Sequence, residues 1–250
     1  MLRLWPEQIT VGLFAGQCWL RRRGKSSTLP NSGQGDIGAL VQAFDLLLEQ
    51  AAPLRGARLD LIVSDCVARI SALPWQARLR TKAEWQAYAR AAFDANGMPL
   101  DEGQVCAPAV RRYGEQGLAL SLPVAWLAGL DEAARRHGAR LRTVMPLSAA
   151  AYWSPRRWMP DKGAAWILLE DEGSASLLCF DGRRSVAHDT QPALDERGLR
   201  QLLQRHLLIR APSQVAVWGA GKASSTAIQE VFGPDVSIRN LSHDYWDRHA

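Results

Sequence analysis

The apolar runs "ITVGLF" and "QCWLRR" flank Ala15-Gly16, the pattern of two strands joined by a tight turn. A short strand-like segment at residues 2–5 precedes them, and the Ser/Gly-rich residues 24–35 read as a flexible loop. Asp36 is placed to cap a helix, because Leu40, Phe44, Leu47, Leu48 and Ala51 follow at helical spacing. "LDLIVS", residues 59–64, is a short continuous apolar run of the kind that forms a strand buried on both faces.

The pattern then changes, and residues from about 66 to 120 read as an insertion. "VARISALPW" predicts a strand, and Thr81 with Glu84 forms a capping box for a helix presenting Trp85, Tyr88, Ala89, Ala92 and Phe93. "QVCAPAVRR" and "GLALSL" predict a hairpin around Tyr113-Gly114. Pro123 opens a helix with Trp126, Leu127, Leu130 and Ala134 on one face, stopped by Gly138. "RLRTVMP" reads as a strand, "LSAAAYW" as a short helix, and residues 154–163, rich in Pro and charge, as a linker.

After the linker the opening pattern returns. "AWILLED" and "SASLLCF" predict a hairpin, "RRSVAHD" a third strand, and Asp195 the cap of a helix with Leu199, Leu202, Leu203, His206 and Leu207 on one stripe. "QVAVWG" is again a buried strand, followed by the helix "SSTAIQEVF" and the strand "VSIRNL". Hairpin, helix, strand, helix, strand therefore occurs twice, with Cys18 and Cys179 in the same element of each copy. The expected organisation is a first half at residues 1–153 carrying the insertion, a linker, and a second half at residues 164–250.

Composition narrows the class. The chain has 250 residues, of which 47% are hydrophobic and 22% charged, an ordinary globular balance. Its net charge of +5 comes from scattered arginines, without the interleaved basic and aromatic motif of a nucleic-acid binder. Four cysteines lack any CxxC pair and read as buried small residues in a reducing compartment. No signal pattern or stretch of ~20 apolar residues is present, which gives a cytosolic expectation. Ten tryptophans are many for this length, and some are expected at an interface; the aromatic, charged tail "HDYWDRHA" fits either the core or a partner contact.

Candidate chemistry concentrates in "VWGAGKASST", residues 217–226. A phosphate-binding P-loop needs a glycine five residues before Gly221 and a hydroxyl after Lys222; the chain has Ala216 and Ala223. The dinucleotide fingerprint fails too, since Ser224 stands where its third glycine belongs, and "VGLFAGQ" offers only two glycines at the wrong spacing. Lys222 at a helix start reads as a solvated lysine before it reads as an anion ligand. His206 on an apolar stripe reads as a hydrogen-bonded core histidine, and His188 with Asp189 as a strand-end pair. Asp65, closing "LIVSD", reads as a turn former before a catalytic acid.

A duplicated, hairpin-first α/β half resembles the actin-like ATPase fold, with ribonuclease H-like halves. Within it the chain is similar to the cytoplasmic actin-like domain of bacterial secretion and pilus platforms, the type II secretion L component and the type IV pilus M protein. The likeness is carried by "LDLIVSDCVARISALPW", "LSLPVAWLAGLDEAARRHGARLRTVMPLSAAAYW" and "WILLEDEGSASLLCFDG", and runs over most of residues 1–245.

That resemblance implies a nucleotide site between two hairpin turns whose N–H groups clasp phosphate. Each turn is introduced by a magnesium-holding Asp, and a small-residue turn lies near the adenosine. Glu170, Asp171, Gly173 and Ser174 match the second hairpin turn, and Gly219, Ala220 and Gly221 the small-residue turn. The first turn has no acid, and Phe14 and Ala15 stand where small polar residues belong, so the site is expected to be vestigial and the protein no ATP hydrolase. The resemblance further implies a non-catalytic scaffold without cofactor, cytoplasmic and peripheral to the inner membrane. It would dock the assembly ATPase and inner-membrane platform proteins and no nucleic acid, with a homodimer left open. The L component continues into a membrane-spanning helix and this chain reaches Ala250 without one, so a cytoplasmic fragment or a small homologue is expected. The rival is an active ATPase or small kinase of the same fold, using ATP with Asp171 and Asp65 at its metal.

Overall fold

The computed structural model describes residues 6–31, 36–154, 163–172, 174–182, 184–192, 195–208, 211–219 and 222–242. The expected strand at residues 2–5, most of the linker, the C-terminal tail, Gly173, Ala220 and Gly221 lie outside the described residues, as do the side chains of Lys222 and Ser224.

The first sheet is built from β1 (Gln8–Leu13), β2 (Gln17–Arg22), β3 (Lys25–Pro30), β4 (Arg58–Val63) and β8 (Arg140–Pro146), in the order β3-β2-β1-β4-β8. β1 pairs antiparallel with β2 and parallel with β4, so its apolar run is enclosed by strands on both sides. β3 corrects the expected loop. Ser26, Ser27 and Thr28 give no apolar alternation, but Arg23 and Gly24 both have positive φ. They form a two-residue hairpin turn that folds the segment back as an exposed edge strand.

α1 (Ile37–Gln50) and α3 (Val124–Arg136) pack together against this sheet. Asp36 caps α1, accepting from the Gly38 and Ala39 N–H groups at 3.3 and 3.2 Å. Leu40, Phe44, Leu47 and Leu48 meet Ile9, Val11 and Leu13 of β1 and Trp126 and Leu130 of α3 in one core. Ala51, expected on that stripe, is the half-buried C-cap instead.

Between β4 and α3 lies a second unit: β5 (Arg69–Leu73), α2 (Lys82–Ala95), β6 (Gln104–Ala109) and β7 (Gly117–Pro123), with sheet order β5-β7-β6. The Thr81–Glu84 capping box opens α2, which buries Ala89, Ala92 and Phe93 on this sheet.

After β8 the short α4 (Leu147–Trp153) leads to the second large sheet. Its strands are β9 (Ala164–Asp171), β10 (Ser174–Asp181), β11 (Arg184–Pro192), β12 (Gln214–Trp218) and β13 (Ser237–Leu241), ordered β11-β10-β9-β12-β13. This is the order of the first sheet, strand for strand, with the same antiparallel hairpin and parallel returns. α5 (Glu196–Leu207) and α6 (Lys222–Phe232) cover its outer face, where Trp166 and Leu168 of β9 meet Leu202, Leu203 and Ile228. Cys18 and Cys179 are buried in β2 and β10; Cys66 and Cys106 are half-buried, and all four thiols are free.

The alternate residues of β9, Ile167 and Leu169, point the other way, as strand pleating requires. With Leu178, Phe180 and Trp218 they meet Phe14, Ile62 and Tyr152 in a core between the two sheets, into which α4 is inserted.

Candidate functional site

The hairpin turns of the two large sheets face each other at one edge of this central core. In the first, the Phe14 side chain is buried against Trp218 at the end of β12, ring centroids 4.7 Å apart. Its carbonyl accepts from the Asn31 side-chain amide at 3.0 Å, while Asn31 N–H bonds the Gly16 carbonyl at 3.1 Å. The turn is thus rigidly held, with the Ala15 N–H pointing across to the second sheet.

The partner of that N–H is Asp171. Its carboxylate oxygens accept from Ala15 N at 3.0 and 3.1 Å, and one also accepts from Glu172 N at 2.9 Å. An ionised acceptor makes such bonds roughly twice as strong as neutral ones. Beside it the Glu172 side chain lies over Gly16, where an added Cβ would come within 2.8 Å of its carboxylate oxygen. The two turns therefore touch directly. Ser174, buried, faces Asp171 across the second hairpin. On the same side, Gly219 has φ +77° and sits so close to the Glu170 carbonyl that a Cβ would lie 2.0 Å from its oxygen. Only glycine fits there.

Of the sequence-predicted residues, the structure thus joins Asp171 to the first turn and Glu170, through its backbone, to Gly219. Among the described residues no group of three or more His, Cys, Asp or Glu is arranged to hold a metal ion.

A second polar constellation lies deeper. α4 has no side-chain cap of its own, since Pro146 precedes it. Asp65, in a single 3₁₀ turn after β4, supplies that cap instead, accepting from Ser148 N at 3.0 and 3.2 Å and from the Ser148 hydroxyl. Ser176 of β10 donates to the same carboxylate at 2.7 Å, tying the first sheet to the second. Burial raises the Asp65 pKa, opposed by these hydrogen bonds. Because each hydroxyl has one proton, Ser176 receives from Thr190 at 3.0 Å, and Thr190 in turn from His188 Nε2 at 3.0 Å. Desolvation lowers the His188 pKa to about 4, so the ring that donates is neutral.

This corrects two expectations. His188 and Asp189 lie within β11, not at its end, and turn to opposite faces: His188 to Thr190, Asp189 to His206 at 3.2 Å. Asp65 does form a turn, but its carboxylate is the knot between the sheets. Ser148 and Ser176 were not legible as its partners, because small polar residues in apolar segments carry no periodic signal.

The middle unit is fastened to the second sheet separately. Arg111 and Glu115 form a buried ion pair. Glu115 accepts from Ser185 N at 3.0 Å, and Arg111 donates to the Tyr152 carbonyl at 2.9 Å while lying over the Tyr152 ring.

Searches against family models and curated proteins find no match. Solved structures do match. A Bacteroides thetaiotaomicron protein of unknown function, described as having an actin-like ATPase fold, aligns with TM-score 0.66 at 10% identity, over 94% of this chain and 90% of that one. This chain has the actin-like ATPase fold. A chain of the PilM–PilN type IV pilus biogenesis complex aligns with TM-score 0.69 at 16% identity, covering 96% of this chain and 89% of that one. The cytoplasmic domain of EpsL, an inner-membrane component of the Vibrio cholerae type II secretion system, aligns with TM-score 0.54 at 10% identity, covering 84% and 81%. Among the described residues no helix is long and apolar enough to cross a membrane.

Proposed function

We propose that this chain is a non-catalytic scaffold of a bacterial secretion or pilus assembly platform, docking the assembly ATPase and linking it to inner-membrane components at the cytoplasmic face. The observation that carries the non-catalytic part is the Asp171 carboxylate seated on the Ala15 N–H. In an actin-like ATPase that N–H belongs to the turn that clasps phosphate. Here an internal anion takes its bond, Phe14 fills the adjoining space against Trp218, and Glu172 lies over Gly16. The described residues do not fit a magnesium nucleotide: the first turn brings no metal-binding carboxylate, and the acid of the second is already engaged.

The platform part is supported by the likeness to a chain of the PilM–PilN complex and to the EpsL domain. Co-expression with the secretion or pilus ATPase of the same organism, followed by size-exclusion chromatography, tests it. The expected result is co-elution with the ATPase or with its membrane components, without phosphate release from magnesium-ATP by this chain. Absence of any complex, together with phosphate release abolished in Asp171→Asn, would establish the kinase or ATPase reading instead.

A further inference from the structure

The middle unit carries an aromatic and basic face that is only partly covered by its own core. Trp75, in the loop after β5, packs against Trp85 of α2 at 5.2 Å and against Tyr113 of the β6–β7 turn at 4.8 Å. Tyr113 is 82% exposed, although burial of such a ring is worth more than almost any other side chain. Along the chain beside these rings, residues 74–90 carry Arg78, Arg80, Lys82 and Arg90 against the one carboxylate Glu84, and Arg112 precedes Tyr113. Glu84 is spent locally, accepting from the Arg80 and Thr81 N–H groups at 2.8 Å each. The side chains of Arg78, Arg80, Lys82 and Arg112 are exposed and make no hydrogen bond or ion pair among the described residues.

We propose that the Trp75–Tyr113 face, with Arg78, Arg80 and Arg112 around it, docks an acidic, partly apolar peptide segment of another protein. Unpaired cations beside rigid aromatics match the composition of interface hot spots, in which Trp, Tyr and Arg are enriched. Guanidinium groups outnumber ammonium groups here, and their planar fork suits carboxylates. A nucleic acid fits less well, because Trp75 is engaged by two neighbouring rings, which leaves Tyr113 alone to stack where successive bases need several ring faces. A lipid surface also fits less well, because Leu79, the aliphatic residue of the loop, is half-buried and offers little to insert. The face extends the scaffold reading by naming one of its docking surfaces. It lies on the middle unit and not at the hairpin turns, so peptide binding and nucleotide binding fail separately. Tyr113 sits between Arg111 and Glu115, the pair that fastens this unit to the second sheet. An occupant would therefore touch that fastening.

The test is selection of a random peptide display library on the intact protein, followed by affinity measurement of the selected peptides. Acidic clusters with adjacent apolar residues are expected, with affinity falling roughly tenfold or more in Arg78→Glu/Arg80→Glu and in Trp75→Ala. Arg78→Ala/Arg80→Ala is expected to fall less, and unchanged melting of every variant separates lost contact from lost folding. Peptides without acidic residues, or unaffected by the variants, would overturn the proposal. So would tighter, variant-sensitive binding to phosphatidylglycerol vesicles or to a single-stranded oligonucleotide measured alongside.

Discussion

The two hairpin turns stand at equivalent places in two sheets of identical strand order, yet their chemistry is opposite. The first is apolar and sealed: Phe14 and Ala15 are buried, and its N–H group looks outward from a fixed frame. The second is charged: Asp171 and Glu172 reach across and occupy what the first presents. Strand order is held by backbone pairing and by the apolar cores behind each sheet, so it survives changes at the turns that no ladder bond depends on. Fold and site are separable in this molecule, as they are across folds that host many functions.

Phe14→Ala breaks the comparison most severely, since it empties the apolar side. Loss of a buried phenylalanine costs ~3–5 kcal/mol, read as a fall in melting temperature of roughly 6–20 °C for a chain of this size. A fall of under a few degrees would mean the ring is not packed between the sheets. Asp65→Ala comes next. It leaves Ser148 N and two hydroxyls without their acceptor and uncaps α4, for a loss of roughly 2–4 kcal/mol in chemical denaturation. Asp171→Ala removes a half-buried charge-assisted bond that only one edge of the cleft depends on. About 1–2 kcal/mol is expected, and an effect as large as that of Asp65→Ala would make the second turn the principal tie.

The last effect is read against pH. His188 is held neutral, its pKa lowered to about 4 from an ordinary 6.5. Its contribution is complete above pH 6.5 and is lost as pH falls toward 4. Asp189, lowered to about 2 mainly by the His206 hydrogen bond, contributes above 3.8 and loses that contribution only below it. Asp65 has the opposite sign: its raised pKa favours the fold in acid and stops doing so as pH rises through it. The difference in melting between the wild type and His188→Gln isolates the histidine. The variant should lose less stability than the wild type between pH 6.5 and 4, and an unchanged slope would remove His188 from the network.

Much of this fold is legible in the chain because each half buries one continuous strand between amphipathic helices. "LDLIVS" and "QVAVWG" have the shortness and β-branched content of buried strands, and Asp36, Thr81 and Asp195 mark helix starts by a mechanism that needs only local residues. β3 escaped, since an edge strand of Ser and Thr is specified by its neighbour's free ladder and by two residues with positive φ. The site was half legible. That the first turn carries Phe14 and Ala15 and no acid could be read directly. That Asp171 would turn inward onto Ala15 could not, because sequence spacing says nothing of contacts between residues 156 positions apart. The Asp65–Ser176 tie was hidden for the same reason.

The most direct test is thermal unfolding of the wild-type protein with and without millimolar magnesium-ATP. A cleft closed by its own carboxylate predicts superimposable curves. A nucleotide at ~100 times its dissociation constant would add ~2.7 kcal/mol, an upward shift of roughly 5–10 °C. Such a shift would show that the turns part to admit phosphate, and would contradict a cleft held shut by Asp171.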